Sequence, residues 1–401
     1  MSLNNTPNAD RIHIGIFGCT NAGKSSIINA ITGQNLAVVS EIKGTTTDPV
    51  SKAMELLPLG AVVIIDTPGL DDNSELGSLR VKKALQVLNK TDIALLVVDS
   101  LKGISDTEKM IIEKIEEKKI PYVVAINKAD LLDKRSVLVE NQVYVSATTG
   151  DGITELKELL AKQKPDNEEK LRIVGDLIEP LDLVVLVTPI DKSAPKGRLI
   201  LPQQQTIRDI LESGAISVVT RETELRETLA SLGKKPKLVI TDSQAFAQVS
   251  ADTPSDILLT SFSILFARYK GELAELVRGV KAVKLLQNDD KILISEGCTH
   301  HRQCEDIGTV KIPKLLLKHT GVNLNFETTS GTEFPTDLSQ YKLIIHCGGC
   351  MLNEREMKYR IKSTVDQDIP IVNYGILLAY LNGILERSVQ VFPEILAELE
   401  D

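Results

Sequence analysis

Short β-branched runs alternate with amphipathic stretches along most of the chain. Apolar runs predict strands at Ile12–Phe17, Ala61–Asp66, Ile93–Asp99, Tyr122–Asn127 and Val143–Ser146. Helical periodicity follows several of them, at Ser25–Ile31 and Asp106–Lys118. A βαβ rhythm of this kind predicts a mostly parallel sheet with helices on both faces. The polar, Pro-containing stretch Gln163–Lys170 reads as a linker, so a first domain ends near Lys162. A second α/β block opens at Leu181–Val187. It continues through a helix at Gln203–Glu212, a strand at Ile216–Thr220, a helix at Glu222–Leu232 and a strand at Lys237–Thr241. A third block starts near Pro254, with helices at Ser261–Lys270 and Glu272–Leu286 and strands at Lys291–Ser295, Leu343–His346 and Ile369–Tyr374. The expected architecture is three α/β domains with mostly parallel sheets, at 1–165, 170–255 and 256–401.

Composition narrows the function classes. The 401 residues are 42% hydrophobic and 25% charged, the ordinary soluble globular range. No run of 18 apolar residues predicts a membrane span. The N-terminal MSLNNTPNADR lacks the apolar segment of a signal peptide, so a cytoplasmic protein is expected. A net charge of −9, no Trp, seven Tyr and seven Phe leave little material for stacking bases. Neither nucleic acid nor membrane is an expected partner. Five cysteines are too few for a secreted disulfide framework in a chain of this length.

Gly18–Ser25 reads GCTNAGKS, a phosphate-binding loop between the strand HIGIF and the helical stretch SSIINAI. Gly18 and Gly23 allow the tight turn, and successive N–H groups at a helix N-terminus bind anions. The expected phosphate contacts are Gly18, Asn21, Ala22, Gly23, Lys24, Ser25 and Ser26, with Lys24 reaching the β- and γ-phosphates and Ser25 binding Mg²⁺. Asp66–Gly69 is DTPG at a strand end: Asp66 can hold Mg²⁺ through water, and the Gly69 N–H can sense the γ-phosphate. Asn127–Asp130 is NKAD, where Asp130 can accept from guanine N1–H and N2–H₂. Val145–Ala147 is VSA, where Ser146 and Ala147 border the base and the Ala147 N–H can meet guanine O6.

In this order and spacing the segment resembles an Era- and TrmE-type P-loop GTPase over about residues 10–160. The resemblance implies GTP and Mg²⁺. Leu70 stands where Ras-like enzymes carry a water-orienting Gln and cannot orient water by hydrogen bonding. TrmE-like relatives use a potassium ion held partly by a loop Asn, and Asn21 matches that position. Gly44–Asp48 (GTTTD) resembles their switch segment, so Thr46, with Thr45 as alternative, is the expected Mg²⁺-binding threonine. The catalytic set implied is Lys24, Asn21, Thr46, Asp66 and Gly69.

Cysteine and histidine are unevenly placed. Cys298, Cys304, Cys347, Cys350, His300, His301, His319 and His346 all fall within one 53-residue window. CTH (Cys298–His300) and HCGGC (His346–Cys350) each follow a predicted strand, and carboxyl ends of parallel strands form one edge where ligands collect. Gly348 and Gly349 permit a turn that aims two sulfurs at one centre. Thiolates select zinc or iron–sulfur clusters over hard cations. A closed zinc site, an iron–sulfur site and a CxxC redox pair all remain open on spacing alone.

A GTPase followed by CxH and HCxxC resembles the HydF family of FeFe-hydrogenase maturation GTPases. The resemblance spans the chain and implies a GTPase domain, a dimerisation domain and a cluster-binding domain. It implies a 4Fe–4S cluster on Cys298, Cys347 and Cys350, with His300 or His346 at or near the fourth position, or a carboxylate or water there instead. Cys304 lies outside the motif. The family acts as scaffold and carrier, taking a diiron precursor from radical-enzyme maturases to the FeFe-hydrogenase apoprotein, and a homodimer or larger assembly is implied. The alternative is a ribosome- or tRNA-associated Era-like GTPase with a structural zinc, which the acidic composition and absent basic run disfavour.

Overall fold

The structure, a computed structural model, describes residues 6–33, 49–70, 75–164, 172–190, 199–297, 306–331 and 333–400. The chain divides into two compact units, Met1–Glu169 and Lys170–Asp401.

The first unit is built on strands β1 (Ile12–Phe17), β2 (Val50–Leu56), β3 (Gly60–Asp66), β4 (Ile93–Asp99), β5 (Tyr122–Asn127) and β6 (Gln142–Tyr144). Their order is β2-β3-β1-β4-β5-β6, parallel throughout except for the antiparallel pair β2·β3. All seven residues of β4 are buried, as expected for a strand covered on both faces by helices. Two apolar clusters lie against the sheet, one containing Ile14, Ile16 and Ile27, the other Phe17, Leu70 and Ile111. The edge strand β2 is absent from the sequence expectation because its first four residues, VSKA, are exposed and form no apolar run.

The second unit holds two four-stranded parallel sheets. Strands β7 (Leu183–Val187), β8 (Ile216–Thr220), β9 (Leu238–Thr241) and β10 (Leu258–Ser261) take the order β10-β9-β7-β8. Strands β11 (Lys291–Glu296), β12 (Asn325–Ser330), β13 (Leu343–His346) and β14 (Ile371–Asn373) take the order β12-β11-β13-β14. One continuous apolar core runs from Ile173 to Ile395 and includes Val184, Phe266, Leu293 and Ile344. The stretch expected as one helix over Glu272–Leu286 is an α-helix at Leu273–Arg278 that tightens to a 3₁₀ segment at Gly279–Leu285. At that junction a Cβ on Gly279 would collide with the Ile371 carbonyl, so the helix backbone lies directly against β14. Among the described residues, no helix is long and apolar enough to cross a membrane.

Candidate functional site

At the phosphate loop, the end of β1 turns through Gly18 and Gly23, both at positive φ, into the helix Lys24–Thr32. A Cβ on Gly18 would meet the Val97 carbonyl and one on Gly23 the Asn127 amide, so neither position tolerates a side chain. Asn21 is exposed in the left-handed region at φ 63, a conformation Asn adopts more readily than most residues. Lys24 is buried and its Nζ donates to the carbonyls of Gly18 (2.9 Å) and Cys19 (3.0 Å). Ala22 is buried, Ser26 half-buried.

Ser25 and Asp66 converge as a metal site requires. Ser25 Oγ donates to Asp66 Oδ2 at 3.4 Å, and Asp66 Oδ1 is buried with no hydrogen-bond partner. Burial pushes the Asp66 carboxyl up, against the opposing pull of Lys24 and Ser25. An orphaned carboxylate oxygen beside a serine hydroxyl fits a hard divalent cation such as Mg²⁺. Gly69 packs on Thr20 of the loop, where a Cβ would collide with the Thr20 hydroxyl. Leu70 is buried in the apolar cluster with Phe17 and Ile65, away from any water-orienting role. Thr46 and Thr45 lie outside the described residues.

The base-side residues are tied to the loop. Asn127 Nδ2 donates to the Ala22 carbonyl (2.9 Å), and Asn127 Oδ1 accepts from the Ala147 N–H (3.2 Å). That amide, expected at guanine O6, is thus engaged by Asn127 here. Lys128, at φ 62, pairs with Asp99 at 2.5 Å. Burial acts to raise the Asp99 carboxyl, but Lys128, the Leu101 N–H and Lys102 outweigh it and hold it low. Asp130 is exposed and Ser146 fully buried, the latter accepting from the Thr149 N–H.

Sequence reasoning missed Glu108. Its Oε2 caps the helix Asp106–Glu117 through Ser105, and its Oε1 accepts from the Cys19 N–H (3.3 Å). The S-x-x-E capping box at Ser105–Glu108 was the available signal. Cys19 is half-buried with its sulfur 3.3 Å from Ser105 Oγ.

In the second unit β11 and β13 pair in parallel, with Ser295 beside His346. Their carboxyl ends therefore emerge together. The Gly297 N–H donates to Cys347 Sγ (3.0 Å), and the Gly349 N–H approaches the same sulfur at 3.4 Å. Gly349 makes the turn at φ 60, against Met357. Cys298, one residue beyond Gly297, lies outside the described residues, as do His300, His301 and Cys304. Burial pushes the Cys347 thiol up to about 11, the two N–H donors opposing it, and raises Cys350 likewise. Lys270, itself buried, donates to the carbonyls of Cys350 and Leu352 (both 3.3 Å). Beside Cys347, Tyr374 Oη donates to the buried Glu296 (3.1 Å), and burial with Glu296 drives that phenol upward.

His346 is fully enclosed. Its Nδ1 lies 2.7 Å from the Cys347 carbonyl and its Nε2 3.1 Å from Arg360 Nη1. Burial, then Arg360, push the imidazole down to about 3. Arg360, fully buried on the helix Glu354–Val365, also donates to Glu356 (2.9 Å), Ser295 (3.3 Å) and the Gly331 carbonyl (2.7 Å). His319 sits at the end of the helix Ile312–Thr320 against the Tyr380 ring. Among the described residues no group of three His, Cys, Asp or Glu is arranged to hold a metal. Two cysteine sulfurs on one turn, one of them accepting N–H donors, nonetheless suit a soft metal.

The loop, the DTPG and NKAD strand ends and the sheet order define a P-loop GTPase joined to further parallel α/β architecture. The family model for 50S ribosome-binding GTPases matches residues 13–128. The models for the hydrogen maturase F dimerization domain and the hydrogen maturase F tetramerization domain match residues 173–271 and 274–391. These two together cover more than half of the chain, which belongs to the hydrogen maturase F family. It thus carries a GTPase domain followed by the family's dimerization and tetramerization domains.

Curated relatives match part of the chain. GTPase Der of Kosmotoga olearia is 31% identical over 216 residues, 49% of this chain and 48% of that protein. The tRNA modification GTPase MnmE of Chromobacterium violaceum is 36% identical over 155 residues, 37% of this chain and 34% of that protein. The chain thus spans half or less of the length of these relatives. Among solved structures, a point variant of Aquifex aeolicus Era bound to GDP·AlF4⁻ aligns at TM-score 0.35 and 19% identity, over 60% of this chain and 99% of that one. NFeoB of S. thermophilus bound to GDP·AlF4⁻ and K⁺ aligns at TM-score 0.31 and 20% identity, over 42% and 74%. Both likenesses are partial, and the fold assignment rests on strand order and the family models.

Proposed function

We propose that this chain hydrolyses GTP as the switch of a metallocofactor carrier in FeFe-hydrogenase maturation. In this reading residues 1–165 bind GTP, 170–255 dimerise and 256–401 hold the cluster. Mg²⁺ is held by Ser25 and Asp66 together with Thr46, and Asn21 contributes to a potassium site. Lys24 stabilises charge developing on the β- and γ-phosphates, and γ-phosphate contacts order the switch segments. A 4Fe–4S cluster is held by Cys298, Cys347 and Cys350, with His300, His346, a carboxylate or water at the fourth position. When bound, such a cluster supplies an iron site with one exchangeable ligand. The chain's part is to supply thiols that give up their protons as the metal binds, to donate N–H groups to sulfur from Gly297 and Gly349, and to keep the loop fixed by Lys270. The cargo is the diiron precursor, received from radical-enzyme maturases and passed to the hydrogenase apoprotein.

The carrying observation is the 3.0 Å bond from Gly297 N–H to Cys347 Sγ, which brings the end of β11 onto the HCGGC turn. The test is metal and sulfide analysis of the anaerobically purified full chain, with Cys298→Ser, Cys347→Ser and Cys350→Ser beside it. Near-stoichiometric cluster iron, lost in each variant together with hydrogenase maturation, is expected. A colourless zinc protein points to the ribosome- or tRNA-associated alternative. Full maturation by any of the three variants refutes the assignment.

A further inference from the structure

The HCGGC motif offers His346 as a candidate fourth ligand, yet its surroundings assign its nitrogens elsewhere. A guanidinium can only donate hydrogen bonds. Arg360 Nη1, 3.1 Å away, therefore requires His346 Nε2 to accept. In a neutral imidazole the remaining nitrogen carries the proton. Nδ1–H then donates to the Cys347 carbonyl at 2.7 Å. One nitrogen has committed its lone pair to Arg360, and the other has none to give. A histidine ligand must turn a free lone pair toward the metal.

Arg360 is not free to step aside. It is fully buried, and its other donors are fixed on Glu356, Ser295 and the Gly331 carbonyl, with Phe334 under the guanidinium at 5.2 Å. Ser295 is the last β11 residue paired with β13, His346 ends β13, and Gly331 follows β12. A single side chain thus gathers three neighbouring strand ends on the edge where the cysteines emerge. Its hold reaches Cys347 through the imidazole.

We propose that His346 is a positioning residue and not a cluster ligand: Arg360 locks its Nδ1–H tautomer, and the ring fixes the Cys347 peptide. This deepens the cluster reading and rests on it only for the iron-loaded state.

The experiment uses the full chain labelled with ¹⁵N-histidine, before and after anaerobic reconstitution with iron and sulfide. The His346 resonances are assigned by their loss in His346→Gln. Before loading, His346 is expected as the Nδ1–H tautomer. After loading, pulsed EPR of the reduced cluster is expected to show no histidine nitrogen coupling that His346→Gln removes. His346→Leu, which deletes both bonds, should speed iron loss to a chelator by about 10–100-fold. His346→Gln, whose amide can both donate and accept, should hold iron within a few-fold of the parent. An Nε2–H tautomer, a nitrogen coupling abolished by His346→Gln, or equal iron loss in Leu and Gln variants overturns the proposal. If the parent takes up no iron, the cluster reading fails instead. The tautomer then still decides, together with alkylation of Cys347, which should be faster in His346→Leu than in His346→Gln.

Discussion

Replacing Arg360 with Met tests the frame beneath the cysteine loop directly. The side chain is fully buried, and its Nε donates to Glu356, whose carboxylate is 6% exposed. Met fills similar volume but leaves Glu356 as an uncompensated buried charge, a change that costs about 3–5 kcal/mol. The fully buried His346 Nε2 also loses its donor, and an unsatisfied buried acceptor costs roughly 1–3 kcal/mol. These losses share one network and do not add. The working figure is therefore the ion-pair value, and at about 2–4 °C per kcal/mol for a unit of this size Tm falls by roughly 6–20 °C. The chain has no Trp, and five of its seven Tyr lie in Lys170–Asp401, so tyrosine fluorescence reports on the affected unit. The double variant Arg360→Met, Glu356→Leu removes both charges and should recover at least half of the loss. An Arg360→Met penalty below about 1 kcal/mol, the level of an exposed ion pair, refutes the reasoning, as does strict additivity in the cycle.

Burial raises the Asp66 carboxyl above its unfolded value, so the folded protein binds this proton more tightly than the unfolded chain. The group therefore costs nothing below the unfolded value, and stability falls as pH rises from there through the folded one. Asp66→Asn should raise the Tm of nucleotide-free protein more at pH 7 than at pH 4, and equal gains at both would discard this account. Asp130→Asn replaces a charged acceptor for two guanine donors, each such bond being worth about 1.5–3 kcal/mol. GTP affinity should fall by roughly a hundredfold or more, read by fluorescent nucleotide titration, while unchanged affinity removes Asp130 from the base site. If Asn21 helps hold potassium, GTP turnover is several-fold faster in potassium than in sodium, and Asn21→Ala erases the difference. Equal rates in the two salts would end that assignment.

The nucleotide loop was legible because its chemistry needs residue types at fixed spacing on consecutive positions. Gly18, Gly23, Lys24 and Ser25 follow from what a backbone anion site demands, and the buried runs of β1, β3, β4 and β5 are unbroken enough to place it. The edge strands β2 and β12 were not legible, since half-exposed strands of mixed polarity carry no apolar run to mark them. Nor was the shared core from Ile173 to Ile395, because composition shows that apolar residues are buried but not against which partner.

The same division runs through the cysteine site. HCGGC announces its sulfurs, and the parallel rule places its strand end beside that of CTH. What holds His346, however, is Arg360, 14 residues further along the chain and one turn after Glu356 on a helix with no motif of its own. Sequence spacing favours His346 as a ligand because histidine beside cysteine is a common metal-site pattern. Burial reverses the argument. A fully enclosed imidazole between a guanidinium and a carbonyl has its two nitrogens assigned by donor and acceptor count alone, and that count needs three-dimensional neighbours that a motif does not contain.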